Sequence, residues 1–285
     1  MQVAEITLTQ RAKALLFILF SLLSPLPLAA HELWLQAQEY MVAPESRLVI
    51  DIVNGQKFRG HALPYLPNST ILLAEVVDGG ITDLAPRPGD RPALDMMSGP
   101  EGLRVVVYQS TIATLTYREF EKFLGFVAHK DLPTSRAGHL ARGLPETDFK
   151  ESYARFSKAL IAVGNGAGAD QRLGLETELV ALANPYTDAL ANGLPVQLFY
   201  QNTPRVDAQI EIFEKNPDGE VYISTVRTDG EGIAMIPVLP GNTYMLDADV
   251  LREPDQELAA KTGAVWESLW ANLTFALPET RPGAD

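Results

Sequence analysis

From residue 31 to about 117 the apolar positions fall in short runs, 47–53, 70–77 and 103–108, rich in Val, Ile and Leu. Between them lie clusters such as Asp78, Gly79, Gly80 and Pro86, Arg87, Pro88, Gly89. Short apolar runs punctuated by Gly and Pro predict the strands of a β-sandwich. Residues 111–116 add a further strand, close enough to pair with the one before. The period then changes. Thr116 with Glu119 has the form of a capping box, and Phe120, Phe123, Leu124 and Val127 recur at helical spacing. A second box, Asp148 with Glu151, predicts another helix whose stripe is Phe149, Tyr153, Phe156 and Leu160, ending at Gly164. Such a stripe is expected to pack into a core.

Asn165, Gly166, Ala167, Gly168 and Ala169 are expected to form an interdomain linker. The segment lacks the Lys and Ser/Thr that a phosphate loop needs. Beyond it the alternation of strands returns, broken at Asn216 to Gly219 and at Thr228 to Gly230. In the strand from Gln209 to Phe213 the alternation puts Ile210 and Ile212 on one face and Glu211 on the other. With its "TDGEG" turn and "PGNTY" turn, this half resembles small transthyretin-like or carboxypeptidase-regulatory-like modules, which implies a noncatalytic β-sandwich. The expected fold is mainly β: two immunoglobulin-like or transthyretin-like β-sandwiches, 31–165 and 170–280, with a helical insertion between them and a tail at 281–285.

The first thirty residues follow a different pattern. Arg11 and Lys13 precede an apolar run at 14–23, and small residues lead to Ala30. Basic, apolar, then cleavable is the order of a secretory signal. The run falls short of the roughly 20 residues that span a bilayer. The mature chain is therefore expected to begin at His31 and to be soluble and periplasmic, with no membrane span. The formal charge of −13 disfavours nucleic acid as a partner. With no cysteine, disulfides, thiolate nucleophiles and thiolate metal sites are all excluded, and stability must come from a large core.

Four separated blocks, "AHELWL", "YARFSKALIAVG", "ANPY" and "WESLWANLTFALP", together resemble the domain-of-unknown-function 4198 family over about residues 29–278. The closing block, with Trp266, Glu267, Trp270, Thr274 and Phe275, is the most specific. The resemblance implies a periplasmic accessory protein of nickel or cobalt uptake, with a metal ion and an uptake transporter as partners. Family members often carry a histidine in the strand before the closing block. This chain reads "LDADVLREPD" there, which offers Asp247 and Asp249 instead, and imidazole suits nickel better than carboxylate does.

The histidines are His31, His61, His129 and His139. His129 and His139, flanked by charged neighbours, are expected to be solvated. Cleavage after Ala30 gives His31 a free α-amine beside its imidazole, a chelating pair for nickel, cobalt or copper. His61, in a loop after Gly60, is the expected second ligand, and Asp249 the third. In the competing reading, "HELWLQ" is an edge strand with Leu33 and Leu35 towards the core, Glu32 and Trp34 the other way, and His31 without a role. No G-x-S-x-G, H-E-x-x-H, G-x-G-x-x-G or Walker pattern occurs. Trp266 and Trp270 are expected to anchor the core. The expectation is a noncatalytic binding or accessory protein for a transition metal. The alternatives are a metal-free scaffold that binds protein or glycan, and a copper histidine-brace protein.

Overall fold

The computed structural model describes residues 31–279; the expected leader with its cleavage bond and the tail at 281–285 lie outside the described residues. The chain runs through β1 (Glu32–Ala37), β2 (Met41–Val42), β3 (Arg47–Gln56), β4 (Arg59–Leu63), β5 (Thr70–Val77), β6 (Gly80–Asp83), β7 (Leu94–Met97), β8 (Gly102–Ser110) and β9 (Ala113–Tyr117). Two short helices follow, α1 (Phe120–His129) and α2 (Arg136–Ala141). Then come β10 (Phe149–Val163), β11 (Thr177–Ala181), β12 (Leu194–Tyr200), β13 (Thr203–Pro204), β14 (Gln209–Lys215), β15 (Val221–Arg227), β16 (Ile233–Ile236) and β17 (Thr243–Arg252). Helix α3 (Gln256–Thr262) and β18 (Ala264–Ala276) close the described chain.

The strands form three sheets. The central one has the order β15-β14-β17-β18-β10-β8-β5-β6, with β2 and β9 added along β10. An outer sheet of β1, β3, β4 and β7 covers one face, and an outer sheet of β11, β12, β13 and β16 covers the other. The fold is thus mainly β, two sandwiches built on one shared sheet. Side chains of β10 show this layering: Ala159 and Ile161 pack with Leu35, Ile50 and Ile52 of the first outer sheet. Leu160 and Ala162 pack with Leu179, Val196 and Leu198 of the other. Helices α1 and α2 lie on the same face as the first outer sheet, where Phe120, Phe123 and Phe126 pack on Trp266 and Trp270.

Residues 149–163, expected as a helix, are the 15-residue strand β10. The reason lies in its position: β10 pairs in parallel with β18 and is buried on both faces, so the polar alternation that marks a strand is lost. The apparent helical stripe divides between the faces, with Phe149 in the cluster under α1 and Phe156 in one with Leu175 on the other side. The same double burial overrides the expected polar face of β14, where Glu211 is enclosed. It also affects β1, whose Glu32 and Trp34 are as buried as Leu35.

The expected linker at 165–169 is a pinned turn. The Asn184 amide donates to the carbonyls of Gly166 and Gly168 at 2.8 and 2.9 Å, and Leu103 N donates to Ala167 O at 2.6 Å. Gly166 has φ +61°, and a Cβ there would lie 2.7 Å from that of Ala162, which leaves glycine as the residue that fits. Helix α1 forms where the spacing predicts it, with Glu119 at the N-cap position and no side-chain cap bond. Trp266 and Trp270 are core residues on a strand, as the expectation of core anchoring requires.

Candidate functional site

A cleft of about 850 Å³ opens where β1 begins, between β1, β9 and the first turn of α1. Its apolar wall includes Leu33, Leu63, Ala113 and Leu115, with Tyr108, Tyr117 and Tyr153 beside them. Its charged groups are Arg118, Glu119, Lys122 and Arg155, and the His31 imidazole is also on the wall. Several polar groups are engaged by the fold itself. Tyr108 OH donates to Ser69 O at 3.2 Å, Ser110 Oγ to Thr111 O at 2.8 Å and Tyr117 OH to Glu151 Oε2 at 2.9 Å. Arg155 Nη2 donates to the His31 carbonyl at 2.7 Å and so fixes the backbone at the cleft mouth.

Behind Arg155 the central sheet carries a buried set of charges. Register places Glu211 of β14 beside Asp247 of β17, then Asn272 of β18 and Ser157 of β10, in one row across four strands. In the next row on that face stand Asp249, Trp270 and Arg155. Lys130, the residue after α1, inserts its ammonium here. Its Nζ lies 2.5 Å from Asp247 Oδ2 and 2.8 Å from Glu211 Oε2. It is 3.5 Å from Asp249 Oδ2 and 3.7 Å from Glu32 Oε1, distances of electrostatic attraction rather than hydrogen bonding. Burial opposes the charge on Lys130, but the carboxylates Asp247, Asp249, Glu211 and Glu32 outweigh it and hold the amine's pKa well above the ordinary lysine value.

The carboxylates are less well served. Glu32 Oε2, Asp247 Oδ1, both oxygens of Asp249 and both amide atoms of Asn272 have no direct protein hydrogen bond. Burial pushes Glu32 up to about 7 and Asp249 well above the usual carboxylate range. At the surface of the cluster, His129 Nε2 meets Glu211 Oε1 at 3.0 Å, and that bond raises the imidazole pKa. The cluster is therefore a proton-holding polar core with Lys130 as its tethered cation.

The three expected metal ligands are in different places. His31 is exposed and lines the cleft. His61 lies on β4 in register with Asn54 of β3, which is in turn in register with Leu33 of β1, so one strand, β3, separates it from the strand His31 leads into. Asp249 is enclosed in the Lys130 cluster. Among the described residues no group of three or more His, Asp or Glu is placed to hold a metal ion. His139, expected to be solvated, is fully buried: Trp266 Nε1 donates to its Nδ1 at 3.0 Å, and its Nε2 lies 2.8 Å from Pro145 O. Sequence reading missed Arg155 and Lys130. The available signal was the pair Asp247 and Asp249 at alternate positions of an apolar strand, an arrangement that requires a buried cation.

Similarity to solved structures is distant. A tetra-tandem repeat from the extending region of a large adhesion protein aligns at 9% identity and TM-score 0.21, over 88% of this chain and 50% of that one. The chain thus spans about half the length of that structure. The D0-D1 domain of intimin aligns at 12% identity and TM-score 0.18, over 85% and 97% of the two chains. No curated protein matches. The model of the family described as Domain of unknown function (DUF4198) matches residues 28–252, and the chain belongs to that family.

Proposed function

We propose that this chain is a noncatalytic, exported binding protein that holds its ligand in the cleft at the start of β1. The cleft itself carries the reading. Its volume falls within the range of small-molecule sites, roughly 300–1,000 Å³, and it combines apolar walls with a few convergent polar groups. The noncatalytic part is supported by the hydroxyls of Tyr108 and Ser110, which donate to backbone carbonyls and not to a general base as a nucleophile would. Among the described residues no helix is long and apolar enough to cross a membrane, which is compatible with the periplasmic location proposed here. Backbone NMR of the mature chain, titrated with ligands recovered from a periplasmic extract, tests the reading. Shifts are expected at Leu33, Ala113 and Leu115; binding whose shifts map elsewhere overturns it.

A second reading, nickel or cobalt handling as an accessory to an uptake transporter, is favoured by one observation. His31 stands exposed at the cleft, with its carbonyl anchored by Arg155. If the mature chain starts there, amine and imidazole chelate one ion at the cleft mouth. Calorimetry with nickel, cobalt and copper should show tight binding that His31→Ala abolishes; equal binding by the variant rejects this reading.

A further inference from the structure

We infer that the ligand of the cleft is a small organic anion with an apolar body, received by Arg155 and rimmed by Arg118 and Lys122. The inference rests on the cleft being the binding site and names the chemical class that fits it.

Three observations support it. First, the chain has 36 acidic and 23 basic residues, yet the cleft wall reverses that balance, with Arg118, Lys122 and Arg155 against Glu119 alone. Glu119 is already matched by Lys122 at 2.8 Å, which leaves two guanidinium groups in excess. Field lines in an apolar-walled cleft concentrate such an excess.

Second, Arg155 is a buried cation with no direct ion pair among the described residues. It is 7% exposed, and among the described residues no carboxylate lies within ion-pairing distance of it. Of the five N–H donors a guanidinium offers, one is spent on the His31 carbonyl, and Nη1 has no partner. The planar group lies 3.8 Å from the Trp270 ring centre and 4.9 Å from that of Tyr153, contacts that orient it but do not neutralise it. Asp249, which shares its row across the sheet, and Asp247 and Glu151 attract it from beyond ion-pairing distance, and burial outweighs their pull. An unpaired buried guanidinium is costly, and burial already pulls the pKa of Arg155 down. Arg155 is part of the cleft wall, so a ligand carboxylate, sulfonate or phosphate there gains the attraction of its charge together with that of the rim cations Arg118 and Lys122.

Third, the remaining wall is unsuited to a bare inorganic anion. Leu33, Leu63 and Leu115 with the rings of Tyr108 and Tyr153 offer an apolar surface that only a carbon body covers.

A matched series tests the charge at constant shape: 1-naphthoate, 1-naphthylmethanol and 1-naphthylmethylammonium, each titrated into the mature chain by calorimetry and mapped by NMR. Naphthoate is expected to bind about tenfold or more tighter than the other two, to shift Leu33 and Leu115, and to weaken with added salt. The double variant Arg118→Glu/Lys122→Glu, altered at the cleft rim, is expected to lose that tenfold preference while keeping its unfolding temperature. If the alcohol or the ammonium binds in the cleft as tightly as naphthoate, the anion inference falls while the cleft reading stands. If none of the three shifts a cleft residue, both fall.

Discussion

Ser157 Oγ donates to the Leu33 carbonyl across 3.0 Å and so joins β10 of the central sheet to β1 of the outer one. Two further side chains repeat the device, Arg155 on the His31 carbonyl at 2.7 Å and Thr274 on that of Leu35 at 2.7 Å. Strand β1 pairs with β3 along one edge, and these three donors satisfy alternate carbonyls along the other. The position of His31 at the cleft is thus set by side chains rather than by a strand partner.

Ser157→Ala should therefore leave the half-buried Leu33 carbonyl without its protein partner, at a cost of about 1 kcal/mol. Urea unfolding measures the loss, and amide exchange on β1 should quicken more than on β3. A variant as stable as the parent would show that β1 is held by its apolar contacts alone.

Stability should also fall as pH rises through neutrality. In the unfolded chain Glu32 titrates near 4.5, whereas burial in the fold holds it near 7. The folded state binds the proton more readily, so the contribution of Glu32 is full below about pH 4.5 and is lost as pH passes 7. Asp249 and His129, both raised, act in the same direction. Glu32→Gln mimics the protonated form. It should match the parent at acid pH and exceed it at pH 8 by on the order of 3 kcal/mol, as read from denaturant midpoints at each pH. Parallel pH profiles for parent and variant would contradict this.

Lys130 is the cation on which the cluster depends. Lys130→Met removes the ammonium bonded to Asp247 and Glu211 and leaves Asp247 buried without its cation and Glu211 with His129 alone, a loss of about 3–5 kcal/mol. The triple variant Lys130→Met/Asp247→Asn/Glu211→Gln, which removes the ammonium together with its two hydrogen-bonded carboxylates, should regain most of it. Failure of the triple variant to recover would point to packing of the lysine stem, and not its charge, as the source of stability.

Legibility from sequence followed exposure. Strand β5 occupies 70–77 as predicted, and β3 and β8 contain the predicted 47–53 and 103–108, because each couples apolar residues to clear turns. The strand β10 was hidden because neither face meets water: Phe149 and Tyr153 lie on one side and Phe156 and Leu160 on the other, a spacing that also fits a helix. The site divides in the same way. His31, expected as a metal ligand at the mature start, lies on the cleft wall. Lys130 and Asp247 are 117 residues apart in sequence, and Arg155 lies within a run read as helix; their meeting depends on strand order, which local pattern does not encode.

His139 and Trp266 offer the sharpest test of the helical insertion. The imidazole accepts the indole N–H at Nδ1, so its own proton sits on Nε2 and is donated to the Pro145 carbonyl. Nitrogen NMR should find this neutral Nε2–H tautomer. Around the ring, Phe120 and Phe149 lie 4.5 and 4.7 Å away between centres, so His139→Phe preserves the apolar contact while leaving the indole N–H and the Pro145 carbonyl without partners. The expected loss is on the order of 2 kcal/mol, and Trp266→Phe made in the same background should cost less than it does alone, since the indole has already lost its acceptor. If the two losses add without coupling, the bond contributes nothing, and α2 is held to the central sheet by ring packing alone.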